Sequence, residues 1–195
     1  MGGRGTTATV VFLAGIGDSE QEHWQRHWYR RAQEAVWVEH DDWDVPVCEA
    51  WVADLDRTLR ATPGPKLIVA HSLGCLLVPE WAAEHEDPEI LGAFLVAVPD
   101  PNGSAFPQEA VGFGTRRRNS MPFLSVVVAS RDDPYGSLDH ARQMAAAWGA
   151  RFVDVGPKGH INLDSDLGAW DEGRELFGMH FDATVLSGEA RKERA

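Results

Sequence analysis

The run Ala70-His71-Ser72-Leu73-Gly74 sets a serine between small residues two positions away on either side. That spacing suits a hydroxyl carried on a very tight turn, because larger side chains at the flanking positions would collide across it. Such a turn lifts Ser72 clear of the backbone. It also aims the start of the next helix, with its free N–H groups and positive dipole end, at the same point. The general pattern is G-x-S-x-G at a strand-to-helix junction, and Ala70 departs from it by one methyl group. A serine hydroxyl is a weak nucleophile until a base takes its proton, so this chemistry requires a histidine later in the chain at the same edge. His160 fits, reached through Gly156-Pro157-Lys158-Gly159 just past a strand-like run. The other seven histidines compete poorly. His23 and His27 fall on a helical pattern, His40 ends an early strand and His71 adjoins the serine. His85 and His140 fall on further helical patterns, and His180 lies in the polar tail.

A base of this kind needs an acid to orient it, and Ala129-Ser130-Arg131-Asp132-Asp133-Pro134 offers two candidates. Chain order does not separate them. Pro134 does, because its ring excludes helical conformations at the residue before it and holds Asp133 extended. Asp132 is better suited to capping the turn through its own side chain. For the negative charge of an acyl-transfer intermediate, one donor is the backbone N–H of Leu73. The other comes from Ala14-Gly15-Ile16-Gly17-Asp18, where Gly15 allows close approach and Ile16 is the chosen residue.

Six apolar, mostly β-branched runs must position these groups: Thr9 to Ala14, Val36 to His40, Lys66 to Ala70, Ala93 to Val98, Leu124 to Ala129 and Arg151 to Val155. Helical patterns separate several of them, which is the signature of a parallel sheet covered on both faces. Ser19 and Glu22 have capping-box spacing ahead of Trp24, Trp28 and Ala32. That tryptophan stripe reads first as packing on the sheet. Trp51, Leu55 and Leu59 mark a second helix, a third runs from Ser72 to about His85 across Pro79, and Leu138, Ala141, Ala145 and Trp148 mark a fourth. The expected fold class is α/β: a compact, three-layer α/β-hydrolase fold with a six-stranded mostly parallel sheet in the order 2-1-3-4-5-6 and no large cap domain. The chain reversal then falls between strands one and three, where open sheets of this kind bind ligands. The order Ser, Asp, His is that of α/β-hydrolases.

The chain has 195 residues, enough for one domain. It is expected to span residues 9–178, with 1–8 and 179–195 poorly ordered. The segment from Asp100 to Pro122 has no period and reads as a long loop, with Arg116-Arg117-Arg118 as solvated surface. Phe106, Phe113 and Met121, together with the first loop, are expected to form a short apolar acyl pocket. Hydrophobic residues make up 44% and charged residues 25%, and the formal charge is −12, which disfavours nucleic acid and anionic membranes. Apolar runs are strand-sized and residues 1–7 lack a signal-peptide core, so a cytoplasmic location is expected. Cys48 and Cys75 are the two cysteines, read as buried free thiols.

The sequence resembles the family of retinoblastoma-binding protein nine and YdeN-like serine hydrolases from about Val10 to Phe177. The matching features are the glycine turn before Asp18-Ser19, His23-Trp24, Asp42-Trp43-Asp44 with Pro46, Ala70 to Gly74, Asp132-Asp133-Pro134 and Gly159-His160-Ile161-Asn162. The resemblance implies a triad of Ser72, Asp133 and His160 and hydrolysis of an ester or related acyl bond. No metal or cofactor is called for, and the partner is a small-molecule acyl substrate. No retinoblastoma-protein binding sequence is identified, so that role is not carried over and any protein partner stays unknown. The rival readings are a binding protein on a hydrolase scaffold with little turnover, and an amidase or peptidase.

Overall fold

In a computed structural model, which describes residues 7–114 and 120–188, six strands form one parallel sheet. In chain order the elements are β1 Thr9–Leu13, α1 Trp24–Arg31, β2 Ala35–Trp37, α2 Cys48–Ala61, β3 Lys66–His71, α3 Gly74–Ala82, β4 Ile90–Val96, β5 Leu124–Ala129, α4 Leu138–Trp148, β6 Arg151–Asp154 and α5 Asp171–Gly178. The sheet order is β2-β1-β3-β4-β5-β6, as the sequence predicts. Val11 pairs with Val36 on one side and Ile68 on the other, and Ala70 pairs with Leu95. The Arg116 to Arg118 run lies outside the described residues.

Alternation along the strands divides the interior into two cores. Val11, Leu13, Ile68, Leu95 and Val127 face α2, α3 and α4, meeting Leu55, Leu76, Trp81, Met144 and Trp148. Val10, Phe12, Val69, Phe94 and Val128 face the other way, onto Trp24 and Trp28 of α1 and Phe177 of α5. The three layers follow from this division, and the tryptophan stripe is core. At about 25 cal/mol per Å² of apolar area removed from water, each such large side chain contributes on the order of 2–3 kcal/mol.

Local departures from the sequence expectations have physical causes. Ser19 and Glu22 do not cap α1. The His23 ring does, its Nδ1 accepting from the Gln25 N–H at 3.2 Å. Ser19 Oγ donates instead to Gln25 Oε1 (3.0 Å), and the Gln25 amide donates to the carbonyl of Leu13 at the end of β1 and to that of Val69 within β3. β4 begins at Ile90, ahead of the expected Ala93, and ends at Val96 because Ala97 takes a positive φ of 58°. Pro79 is accommodated inside α3, which is buried along most of its length. Beyond residue 178, where order was not expected, a 3-10 turn over Ala183–Leu186 buries Val185 and Leu186 against the α1 and α5 core. Gln33 ties the turn down as well, its N–H donating to the Val185 carbonyl at 2.8 Å and its side-chain amide to that of Thr184 at 2.7 Å.

Candidate active site

Ser72 sits between β3 and α3 with φ at 52°, the strained turn that its flanking small residues anticipate. Its N–H is held by the Val96 carbonyl at 2.9 Å. Gly74 is obligatory here, since a Cβ would lie 2.6 Å from the Ala14 carbonyl oxygen and 2.8 Å from that of Leu13. Gly15 is constrained less severely from the opposite side: a Cβ there would meet the Ser72 side chain, Cβ at 3.0 Å and Oγ at 3.3 Å. The first loop and the serine turn therefore touch, at the point where the chain order of the sheet reverses.

After β6 the chain brings His160 over this turn. His160 Nε2 lies 2.8 Å from Ser72 Oγ, and Nδ1 lies 2.8 and 2.9 Å from the two Asp133 oxygens. With the carboxylate at Nδ1, the proton belongs on that nitrogen, leaving Nε2 to accept from the serine hydroxyl. The Asp133 side chain is 2% exposed and that of His160 8%. The Tyr135 N–H donates to Asp133 Oδ1 at 2.9 Å, fixing the carboxylate from below.

Asp132 turns the other way. Its Oδ1 accepts from Ser130 Oγ (2.7 Å) and from the Gly159 N–H (2.8 Å), while Ser130 Oγ accepts from the Lys158 N–H (2.8 Å). These bonds, the Ser130 hydroxyl first, hold the Asp132 carboxyl below its ordinary range. The two adjacent aspartates thus hold the imidazole and the backbone of its loop, respectively.

Further ties to that loop come from residues that the sequence gives no reason to choose. His71 Nε2 donates to the His160 carbonyl at 2.9 Å, and Trp24 Nε1 donates to the Ile161 carbonyl at 2.8 Å. Ile161 itself has a positive φ of 51°. Burial, and then the neighbouring His23 and His160, push the His71 imidazole well below its usual pKa. His23 is pushed down to about 3, mainly by burial and next by His160. Both rings are neutral near pH 7.

A cavity of about 200 Å³ opens at Ser72, walled by Ile16, His23, Leu73, Pro107, Tyr135 and Asn162, among others. Ile16 and Leu73 both present N–H groups with no backbone acceptor among the described residues. A larger hollow of about 490 Å³ around Pro79 and Phe123 contains none of these side chains, so the smaller cavity is the candidate site. The expected aromatic lining is absent. Phe113 and Met121 are buried in the core beside α2 and α3, Phe113 edge-on to Trp51 at 5.9 Å, and Phe106 packs against the same core. Aromatic side chains in an irregular segment find their packing in the interior, and among the described residues Pro107 is what that segment adds to the wall. Among the described residues no group of three His, Cys, Asp or Glu side chains could hold a metal ion. Nor is any helix long and apolar enough to cross a membrane.

A parallel sheet in this order, with a serine on the turn after its third strand and a histidine after its last, defines an α/β-hydrolase. The chain belongs to the serine hydrolase family, whose match covers residues 10–179. Its structure is similar to one described as a YdeN-like hydrolase from Pectobacterium atrosepticum, with 28% identity, 93% of each chain covered and a TM-score of 0.78. It shares its fold with the ydeN gene product of B. subtilis at 18% identity, 90% of this chain and 99% of that one covered, TM-score 0.70. The same fold recurs in the type II thioesterase BorB of the borrelidin biosynthetic cluster at 16% identity, 93% of each chain covered, TM-score 0.64. No curated protein matches the sequence.

Proposed function

We propose that this serine hydrolase cleaves small carboxylic esters through an acyl-enzyme on Ser72, with His160 as general base and acid and Asp133 as the group that orients it. The observation that carries the reading is the 2.8 Å contact between Ser72 Oγ and His160 Nε2, made by a serine in a strained turn. Ser72 Oγ attacks the ester carbonyl carbon while His160 Nε2 takes the hydroxyl proton. The carbonyl oxygen becomes an oxyanion facing the Leu73 and Ile16 N–H groups. Collapse expels the alcohol oxygen, to which His160 returns the proton. Water then attacks the acyl-serine carbonyl while His160 takes its proton, and as the intermediate collapses His160 returns that proton to the departing Ser72 Oγ, freeing the carboxylic acid. These groups suffice for acyl transfer without a cofactor. The cavity of about 200 Å³ is smaller than the ~300 Å³ at which sites for drug-sized ligands begin, which favours short acyl groups.

Labelling with a fluorophosphonate, followed by peptide mapping, tests the reading. Label is expected on Ser72 alone and is lost in Ser72→Ala. Label on Ser130 or Ser165, or undiminished labelling of the variant, would overturn it.

A further inference from the structure

The first loop closes as a turn in which the Asp18 N–H donates to the Gly15 carbonyl at 3.2 Å, with Gly17 at a φ of 76° and Asp18 at 63°. Gly15 stands against the Ser72 side chain, so the placement of this turn sets where its N–H groups meet the reacting carbonyl. Of the two corner residues, Gly17 has its N–H committed to the Trp43 carbonyl at 2.9 Å, while Ile16 has no backbone acceptor among the described residues. The left-handed backbone at Asp18 suits glycine best and tolerates asparagine and aspartate. Of the three, aspartate is the least expected in the wall of the cavity at Ser72, because a carboxylate there opposes the negative charge that develops during acyl transfer.

Its partners account for the choice. Asp18 Oδ1 accepts from Trp37 Nε1 at 3.1 Å, and Oδ2 accepts from Arg26 Nη2. Both partners are donors, so a carboxylate satisfies the two together where an amide would turn its NH2 group on one of them. Arg26 also donates through Nε to the Ser19 carbonyl (3.0 Å) and lies over the Trp37 ring, 3.7 Å from its centroid. Trp37 is itself buried, stacked on Phe12 with ring centroids 5.7 Å apart. The turn is thus tied to the end of β2 and to α1, and the Arg26 charge offsets that of the carboxylate.

We infer that Asp18 is a positioning residue for the oxyanion site: held by Trp37 and Arg26, its carboxylate keeps the Gly15 to Asp18 turn against Ser72, so that the Ile16 N–H is already in place where the oxyanion forms. This rests on the acyl-enzyme reading of Ser72 with Ile16 as a donor. Asp18 touches no reacting atom. It acts through the turn, and its contribution is therefore made to the tetrahedral state and not to the binding of the ester.

Asp18→Gly tests this, because glycine relaxes the left-handed backbone while removing the side chain that holds the turn. With p-nitrophenyl butyrate, kcat is expected to fall about 10- to 100-fold with KM changed less than about threefold, a smaller loss than the roughly 10²–10³ that follows outright removal of an oxyanion donor. The second readout is affinity for butyl trifluoromethyl ketone, whose carbonyl carbon takes up Ser72 Oγ to give a tetrahedral oxyanion while His160 takes the hydroxyl proton. That affinity should fall by the same factor as kcat/KM. Trp37→Phe keeps a ring beside Phe12 but withdraws the donor, and should cost about threefold to tenfold in kcat; added to Asp18→Gly it should cost less than about twofold more, since it reaches the site through Asp18. A merely structural role would lower Tm in these variants and leave kcat and ketone affinity within about twofold of wild type, which would overturn the inference. So would a rise in KM at unchanged kcat, or single losses that multiply in the double variant. Where Asp18→Gly does not fold, Asp18→Asn carries the same test: it keeps the backbone conformation, sets its NH2 group against one donor, and should lose about tenfold in kcat and in ketone affinity. Absence of turnover that depends on Ser72 sinks the hydrolase reading itself, an outcome distinct from Ser72-dependent turnover that is indifferent to Asp18.

Discussion

Replacing Asp133 by asparagine exchanges one oxygen for an NH2 group at nearly constant volume, which isolates the orientation of His160 from packing. Asp133 Oδ1 accepts twice, from the Tyr135 N–H at 2.9 Å and from His160 Nδ1 at 2.8 Å, and Oδ2 lies 2.9 Å from the same Nδ1. If the amide oxygen keeps the Oδ1 place, the NH2 group confronts the Nδ1 proton. If it takes the other place, the NH2 group confronts the Tyr135 N–H. The low-energy escape moves the imidazole proton to Nε2, so that Nδ1 accepts from the amide. His160 then faces Ser72 Oγ with a donor and cannot take its proton. The expected loss in kcat is about 10³ to 10⁴, or ~4–5.5 kcal/mol of transition-state stabilisation, the size seen when the triad aspartate of a serine protease is changed this way. Asp132→Asn should lose less than about tenfold, because its amide oxygen can still accept from Ser130 and Gly159. Hydrolysis of a p-nitrophenyl ester, with Tm and circular dichroism to establish folding, measures both. A reversed ranking of two folded variants, or an Asp133→Asn protein within tenfold of wild type, would refute the reasoning.

Two further outcomes follow from the same contacts. Gly15→Ala sets a Cβ 3.0 Å from Ser72 Cβ and should lower kcat/KM about 100-fold by displacing the hydroxyl, with Tm little changed; activity near wild type would mean the first loop gives way freely. Stability should fall as the solution is acidified below about pH 6.5, because the unfolded chain protonates His23 and His71 while the fold holds both neutral, His23 down to about 3. With more protons on the unfolded state, stability rises with pH across this window, by up to about 1.4 kcal/mol per pH unit for each such group. Urea midpoints at pH 7 and pH 5 measure it, and an equal slope in wild type and His23→Asn would contradict the assignment.

The sheet was legible because strands buried on both faces are written as continuous β-branched runs, and their alternation with helices leaves few topologies open. Where the signal failed, the structure was fixed by distant contacts. Helix α5 buries only Gly173 and Phe177, which leaves no apolar stripe to read, and it is held by Phe177 packing on Trp28 at 6.0 Å and Phe94 at 5.6 Å. The Ser19 and Glu22 spacing is a local pattern that lost to a tertiary demand. Gln25 reaches carbonyls of β1 and β3, Ser19 holds it there, and the helix takes His23 as its cap. The pocket was misread because the sequence shows which side chains are apolar but not which way an irregular segment turns them.

Short motifs single out Ser72, Asp133 and His160, and the structure brings the three together because each sits on a loop that follows a strand. No short motif marks how the His160 loop is held. Lys158 and Gly159 are held by Ser130 and Asp132 from the β5 side, while His160 and Ile161 are held by His71 and Trp24 from the first half of the chain. His71 donates across 89 positions and Trp24 across 137, separations at which no spacing rule operates. His71 is also the serine's neighbour, so the turn that strains Ser72 and the bond that holds the His160 backbone belong to consecutive residues. β3 thus supplies both the Ser72 turn and one tie on the His160 backbone, while the chain after β5 supplies the ties on Lys158 and Gly159, so the 2.8 Å contact between Ser72 and His160 depends on the spacing of these two strands.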